Sequence, residues 1–208
     1  MAIIVAFGDS NTWGFQPAIK TRYPRGIRWT GVMQRELGPE HHVIEEGLNG
    51  RTTVFDDPEE SHRSGADYLP PCLRSHAPLD LVILALGCND LKLRFAASPE
   101  KIAAGMERLI DIALSEPVGP GGGAPKVLIV APPPLAQLSE YAEMFAAADE
   151  KARALPAHYR KLAERRGVGF VDAGEFIFAS DLDGIHFAAG EHEILGRILA
   201  EAVRMMLA

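Results

Sequence analysis

The sequence contains few cysteines, few aromatic residues and no long apolar run. Only Cys72 and Cys88 occur among 208 residues, which excludes a disulfide framework and favours a reducing cytoplasm. No stretch approaches the roughly 18 apolar residues that a membrane helix needs. The first apolar run, residues 3–7, has the length of a strand and is too short for a signal peptide. We therefore expect a cytoplasmic protein without a membrane partner.

Positive charge is also scarce. The chain has 21 Lys and Arg against 28 Asp and Glu, a formal net charge of −7. Such a chain offers no electrostatic surface for a phosphate backbone, so nucleic acid is not an expected partner. The hydrophobic fraction of 47% and the charged fraction of 24% are typical of a globular protein. This length predicts a single domain over residues 1–208, with a core that needs neither disulfides nor a structural metal.

Short apolar runs alternate with longer amphipathic stretches along the chain. The apolar runs predict five strands, at residues 3–7, 42–46, 79–86, 126–130 and 167–171. The amphipathic stretches predict helices at residues 29–37, 99–114, 141–166 and 189–206. This order favours an α/β fold, with a parallel sheet covered by helices on both faces. In such sheets ligands bind outside the carboxyl ends of the strands.

Polar residues stand at three of these predicted strand ends. Residues 8–12 follow the first strand, residues 87–90 follow the third, and residues 183–186 lie between the fifth strand and the last helix. Together they contain a hydroxyl, a carboxylate and an imidazole, the three parts of an activated serine nucleophile.

The assignment of roles follows from that chemistry. Ser10 is the candidate nucleophile, His186 the base and Asp183 the carboxylate that orients it, because a spacing of three residues lets Asp183 meet His186 within one turn. Acyl transfer also needs donors directed at the developing oxyanion. The side chain of Asn89, the Ser10 N–H and the Gly50 N–H are the candidate donors.

Four blocks carry a family resemblance: Gly8-Asp9-Ser10, Gly50, Gly87-Cys88-Asn89-Asp90 and Asp183-Gly184-Ile185-His186. In this order they resemble the SGNH, or GDSL, hydrolase superfamily over nearly the whole chain. Residues 28–32, 45–53 and 131–135 resemble its bacterial arylesterase and acyltransferase branch. The resemblance implies a flavodoxin-like three-layer α/β/α sandwich around a five-stranded parallel sheet. It also implies the same triad and oxyanion hole, and a homo-oligomer.

Other residues near these blocks have two interpretations. Asn11 stands where many relatives have leucine, and we expect it to make the floor beside the nucleophile more polar. Trp13 is expected either to form part of the wall of the acyl pocket or to lie in the core. Residues 54–55 and a loop through residues 70–71 are expected to form another wall of the site or an oligomer contact. Arg51 is expected either to contact a substrate or to pair with Glu45 or Glu46, and we favour the pairing.

The sequence predicts a serine esterase that forms an acyl-enzyme on Ser10. The resemblance implies short-chain acyl esters of aryl or alkyl alcohols as substrates and adds acyl transfer to alcohols. It implies a small-molecule ester as the partner, no cofactor and no metal. The alternatives with the same triad are a carbohydrate deacetylase and a thioesterase or lysophospholipase. A non-catalytic binding module on the same fold is the alternative from another class.

Overall fold

The computed structural model describes residues 1–208. The fold is built around a five-stranded parallel sheet. The strands are β1 (Ala2–Gly8), β2 (Phe15–Gln16), β3 (Thr21–Arg22), β4 (His41–Gly47), β5 (Leu81–Ala85), β6 (Lys126–Ala131) and β7 (Gly169–Asp172). The five strands of the sheet lie in the order β4-β1-β5-β6-β7, and a short antiparallel hairpin pairs β2 with β3. The α/β architecture with five parallel strands confirms the fold class that the sequence predicts.

Six α-helices accompany the sheet. They are α1 (Ser10–Trp13), α2 (Trp29–Leu37), α3 (Gly65–His76), α4 (Pro99–Ser115), α5 (Asp149–Arg166) and α6 (Ala189–Leu207). None of these helices combines the length and the apolar composition needed to cross a membrane.

Two apolar cores lie on opposite faces of the sheet. Alternate residues of β1 point to different cores, so Val5 and Phe7 pack with α3, α4 and α5, while Ile4 and Ala6 pack with α2 and α6. Burial on both faces explains why the strands are continuous apolar runs. Helices α2 and α6 approach closely, since a Cβ added at Gly196 would lie 2.5 Å from Val32 Cβ.

The structure corrects two predictions about local structure. The helix expected over residues 141–166 begins only at Asp149. Residues 141–147 form turns, because Ala147 has φ of 59° and the Met144 carbonyl accepts from Leu93 N–H of another segment. The loop expected through residues 70–71 is helix α3. This helix contains two prolines, and burial of Leu69 and Leu73 stabilises it in spite of them.

Candidate active site

The candidate nucleophile lies immediately beyond β1, at the start of α1. The Asp9 carboxylate caps this short helix by accepting from Asn11 N–H at 2.9 Å, which fixes the turn that presents Ser10. A Cβ at Gly47 would run into the backbone of Trp13, so glycine at the end of β4 lets α1 lie against that strand. The sheet thus delivers Ser10 at its carboxyl edge.

The loop before α6 brings the other two predicted residues to Ser10. His186 Nε2 lies 2.9 Å from Ser10 Oγ, and His186 Nδ1 lies 2.6 Å from Asp183 Oδ2. The other oxygen of Asp183 accepts from the backbone N–H groups of Ile185 and His186, at 2.9 Å each. The structure therefore brings together all three residues that the sequence proposed as a triad.

Asp183 is held in its charged form. Burial alone would raise its pKa, but hydrogen bonds from the ring and backbone of His186 and from the Ile185 N–H lower the pKa of this carboxyl below its ordinary value. A carboxylate in this position accepts from Nδ1, which leaves Nε2 facing Ser10 as an acceptor.

Asn11 connects the nucleophile to the histidine loop. Its side-chain amide donates to the Ile185 carbonyl at 3.3 Å and accepts from the Phe187 N–H at 3.1 Å. Both bonds are buried and flank His186 in the chain. Asn11 therefore holds the two halves of the candidate triad in register.

The three proposed oxyanion donors border one cavity beside Ser10. Gly50 has φ of 79°, a conformation that favours glycine, and its segment follows β4. The Asn89 amide donates one of its N–H groups to the Arg51 carbonyl at 3.2 Å, which orients the side chain and leaves the second N–H free of that bond. Ser10, Gly50 and Asn89 all line the cavity.

Arg51 stabilises this edge of the sheet. Its guanidinium donates to the Gly8 carbonyl at 2.9 Å and to the Glu46 carbonyl, and it lies over the Phe7 ring at 4.1 Å. The expected pairing with the Glu45 or Glu46 side chain is thus replaced by bonds to main-chain carbonyls.

Two buried carboxyl groups, those of Asp9 and Asp90, stabilise the backbone around the site. Burial raises the pKa of Asp9 to about 6, although the Asn11 N–H lowers it. Burial also raises the pKa of Asp90 to about 6, although the hydroxyl and backbone N–H of Thr53 lower it. Asp9 accepts from the Asn11 N–H of the helix that it caps, and Asp90 accepts from the Thr53 N–H of a separate loop, so each carboxyl fixes backbone beside the site.

The cavity has a volume of about 230 Å³. One part of its wall is apolar: the Phe15 ring lies 4.2 Å from the His186 ring, and the Tyr141 ring lies 6.0 Å from it. The complete lining consists of Ser10, Phe15, Asn49, Gly50, Glu60, Asn89, Lys92, Tyr141, Met144, Phe145, Ile185 and His186.

Asn11 and Trp13, proposed from the sequence as substrate-binding residues, are not among these lining residues. The Asn11 amide is occupied by the histidine loop. The Arg22 guanidinium lies over the Trp13 ring, 5.1 Å from the ring centroid. Neither side chain therefore lines the cavity, and Phe15 forms the part of its wall that was expected of Trp13.

Most of the cavity wall consists of residues outside the four sequence blocks. Tyr141, Met144 and Phe145 fall at helical spacing, which predicts a helix, although they belong to turns that line the cavity together with Ser10. The sequence signal for Lys92 is its position two residues beyond the block at residues 87–90.

One group of side chains could ligate a metal ion. The ligand atoms of Glu46, Cys72 and His76 lie within 4.8 Å of one another. None of the three lines the cavity with Ser10, and His76 Nε2 already lies 2.7 Å from Glu46.

His192, in the acidic segment 191–193, is buried, and its Nδ1 accepts from Trp29 N–H at 3.3 Å.

Comparison with known proteins identifies the family. The model of the GDSL-like Lipase/Acylhydrolase family matches residues 6–193, most of the chain. The chain belongs to this family. The resemblance drawn from the four sequence blocks is thereby confirmed, and this GDSL-like acylhydrolase is a carboxylic ester hydrolase.

Solved structures of the family superpose along the whole chain. The aryl esterase of M. smegmatis is 44% identical with a TM-score of 0.95, and the match covers 100% of both chains. A carbohydrate acetylesterase from Sinorhizobium meliloti is 42% identical with a TM-score of 0.95, covering 99% of this chain and 100% of that one. A carbohydrate acetylesterase family member from the same organism is 39% identical, with a TM-score of 0.95 and coverage of 100% and 99%. A search of curated proteins finds no match.

Proposed function

We propose that this GDSL-like hydrolase is a serine esterase that forms an acyl-enzyme on Ser10. The observation that carries the proposal is the continuous contact from Ser10 Oγ to His186 Nε2 and from His186 Nδ1 to Asp183, at 2.9 and 2.6 Å. These separations are within reach for proton transfer and for orientation of the ring.

The reaction has two steps. Ser10 Oγ attacks the ester carbonyl while His186 Nε2 takes the hydroxyl proton, and Asp183 stabilises the imidazolium that forms. Collapse of the tetrahedral intermediate breaks the bond to the alcohol oxygen, which receives the proton from His186. Water then attacks the acyl group, with His186 as base, and the acid leaves as Ser10 regains its proton.

The negative charge of each intermediate falls on the former carbonyl oxygen. In the proposal the Gly50 N–H, the Ser10 N–H and the free Asn89 N–H donate to this oxygen. The bond between the Asn89 amide and the Arg51 carbonyl fixes the amide before substrate binds, so little reorganisation is needed during the reaction.

The preferred substrates in this proposal are short acyl esters of aryl or alkyl alcohols. A cavity of about 230 Å³ with Phe15, Tyr141 and Phe145 in its wall suits a small acyl group beside an apolar alcohol. The similarity to an aryl esterase over the whole chain supports this assignment. An alcohol that replaces water in the second step would give acyl transfer from the same intermediate.

A second candidate substrate class is an acetylated carbohydrate. Asn49, Glu60 and Lys92 give the same cavity a polar part, and two of the similar structures are described as carbohydrate acetylesterases.

Self-association, a cytoplasmic location and a single domain over residues 1–208 stay predictions of the sequence.

Replacement of the nucleophile tests the proposal. We expect Ser10→Ala to reduce p-nitrophenyl acetate hydrolysis by about 10³-fold or more, with an unchanged melting temperature. Ser61→Ala, at an exposed serine outside the cavity, is the matched control and should keep wild-type turnover. If a folded Ser10→Ala protein retained turnover, the proposed nucleophile would be wrong.

A further inference from the structure

Helix α3 and strand β4 bring three metal-ligating side chains together outside the cavity that contains Ser10. The ligand atoms of Glu46, Cys72 and His76 all lie within 4.8 Å of one another. Cys72 and His76 stand four residues apart on α3, a spacing that puts both side chains on one face of a helix. Glu46 is the residue before the last in β4. A helix face thus supplies two ligands and the neighbouring strand supplies the third.

Both elements are well packed where they carry these residues. On α3, Leu69 and Leu73 are buried in the core between and beside the two ligands. On β4, Glu46 pairs with Phe7 in the parallel ladder with β1, and its carbonyl accepts from the Arg51 guanidinium. Side chains on packed helices and strands hold a defined geometry better than side chains on loops.

The spacing of the ligand atoms suits a small divalent ion. Metal bonds of about 2.0–2.3 Å to nitrogen, oxygen and sulfur put the ligand atoms of a tetrahedral zinc ion roughly 3.3–3.6 Å apart. His76 Nε2 and Glu46 Oε1 are 2.7 Å apart, and the whole set lies within 4.8 Å. Side-chain shifts of about 1 Å would therefore bring all three atoms to metal-binding distances.

The chemistry of the three ligands favours zinc over magnesium or calcium. Thiolate is a soft ligand and imidazole suits zinc, whereas magnesium and calcium prefer oxygen ligands alone. Burial raises the pKa of the Cys72 thiol to about 12, so its proton passes to solvent as the bond between sulfur and metal forms. The thiolate and the Glu46 carboxylate then balance the two charges of the ion, and the nearby Arg51 faces a neutral cluster.

Solvent reaches the cluster from one side. The side chains of His76 and Glu46 are 29% and 19% exposed, whereas Cys72 is buried. Glu46 also lines an open cleft of about 470 Å³ beside Tyr68. An ion entering from solvent would meet the outer pair first, with the sulfur within reach behind it. Water on the exposed side would complete a fourfold coordination.

We propose that Glu46, Cys72 and His76 bind one divalent ion of the zinc type, which ties α3 to β4. None of the three residues lines the cavity with Ser10, so the ion supports the fold and takes no part in ester cleavage. The folded chain alone holds the three ligands together, and bound metal therefore stabilises the folded state.

Cobalt(II) titration of the full chain in reducing buffer, after treatment with a chelator, tests the site. A bond between cobalt and thiolate gives a near-ultraviolet charge-transfer band that nitrogen and oxygen ligands do not give. We expect this band to saturate at one cobalt per chain and to disappear when zinc(II) displaces the cobalt. Zinc(II) at about 100 times its Kd should raise the Tm of the protein by roughly 5–10 °C.

Variants of the three ligands assign the band. Cys72→Ala and Cys72→Ser should each abolish it, and circular dichroism of the metal-free proteins shows whether each variant is folded. Loss of an outer-shell partner of a metal site already costs up to about 100-fold in affinity, so Glu46→Gln and His76→Ala should each weaken zinc binding by about 100-fold or more.

Two matched controls should keep the wild-type band and the wild-type affinity. Cys88→Ala removes the other buried free cysteine. His158→Ala removes a histidine that also lies beside a carboxylate, 3.5 Å from Glu100, but belongs to no metal-ligating cluster.

Three results would overturn the inference. One is the absence of the charge-transfer band in wild-type protein at saturating cobalt. Another is a band that persists in a folded Cys72 variant. The third is wild-type zinc affinity in both Glu46→Gln and His76→Ala, which would mark an adventitious contact between metal and thiol. None of these measurements requires ester hydrolysis, so their outcome is independent of the proposed role of Ser10.

Discussion

Loss of the Asn11 amide should disconnect the nucleophile from the histidine loop. In Asn11→Ala, the Phe187 N–H loses its acceptor and the Ile185 carbonyl loses its donor, and both bonds are buried. A buried polar group left unpaired costs about 1–3 kcal/mol, so the two together predict a loss of roughly 3 kcal/mol in the free energy of unfolding. For a domain of this size that corresponds to a fall in Tm of roughly 6–12 °C.

The same change should reduce catalysis in the protein that remains folded. His186 lies between the two residues that Asn11 holds, so a looser loop weakens the alignment of Nε2 with Ser10 Oγ. We expect kcat for p-nitrophenyl acetate to fall by about 10-fold or more, with a smaller change in KM. Denaturant unfolding and steady-state kinetics on the same preparation measure both effects.

Asn11→Asp is the matched control, because it keeps the acceptor for the Phe187 N–H and loses only the donor. Unfolding at pH 5, where Asp9 with its pKa of about 6 is largely protonated, avoids repulsion between neighbouring carboxylates. The free energy of unfolding of Asn11→Asp should then lie between the values for the wild type and for Asn11→Ala. Wild-type stability and kcat in Asn11→Ala would refute the assigned role of these two hydrogen bonds.

Three further predictions concern the oxyanion donor and two buried titratable groups. Asn89→Ala should lower kcat by about 10²-fold while KM changes little, as single-turnover and steady-state kinetics would show; an effect on KM alone would contradict the role as oxyanion donor. Because burial raises the pKa of Asp9 from 3.8 to about 6, its contribution to stability falls as pH rises through this range, by roughly 3 kcal/mol in all. Asp9→Asn should remove this slope from unfolding free energies measured between pH 4 and 7, and an unchanged slope would show that Asp9 ionises normally. Burial lowers the pKa of His192 from 6.5 to about 4, with the His186 and Arg28 charges adding to the effect, so its contribution is complete above pH 6.5 and is lost as pH falls to 4. His192→Gln keeps an acceptor for the Trp29 N–H and should lessen this loss of stability at acid pH; equal Tm shifts in both proteins between pH 7 and 4 would count against it.

The sheet was predictable because its strands are buried on both faces. Runs such as residues 3–7 must be continuously apolar, and the sequence shows them directly. Helix α3 was missed because Pro70 and Pro71 contradict its local propensity, and only packing of Leu69 and Leu73 in the core compensates. The opposite error occurred at residues 141–147, where helical spacing describes side chains that cover a cavity.

The position of the site was predictable for a related reason. In a parallel sheet, residues that follow separate strands meet at one edge, so the sequence alone groups Ser10, Asn89 and His186. The direction of side chains within that edge could not be derived in this way. Helix α1 is rotated so that Asn11 faces the histidine loop. This rotation depends on contacts between segments more than 170 residues apart.

The most direct test of the account is covalent labelling of the intact protein with a fluorophosphonate, followed by peptide mass spectrometry. The geometry of His186 and Ser10 predicts one phosphonyl adduct per chain, located on Ser10 and absent from Ser10→Ala. An adduct on another residue, or an active enzyme whose Ser10 stays unlabelled, would contradict it.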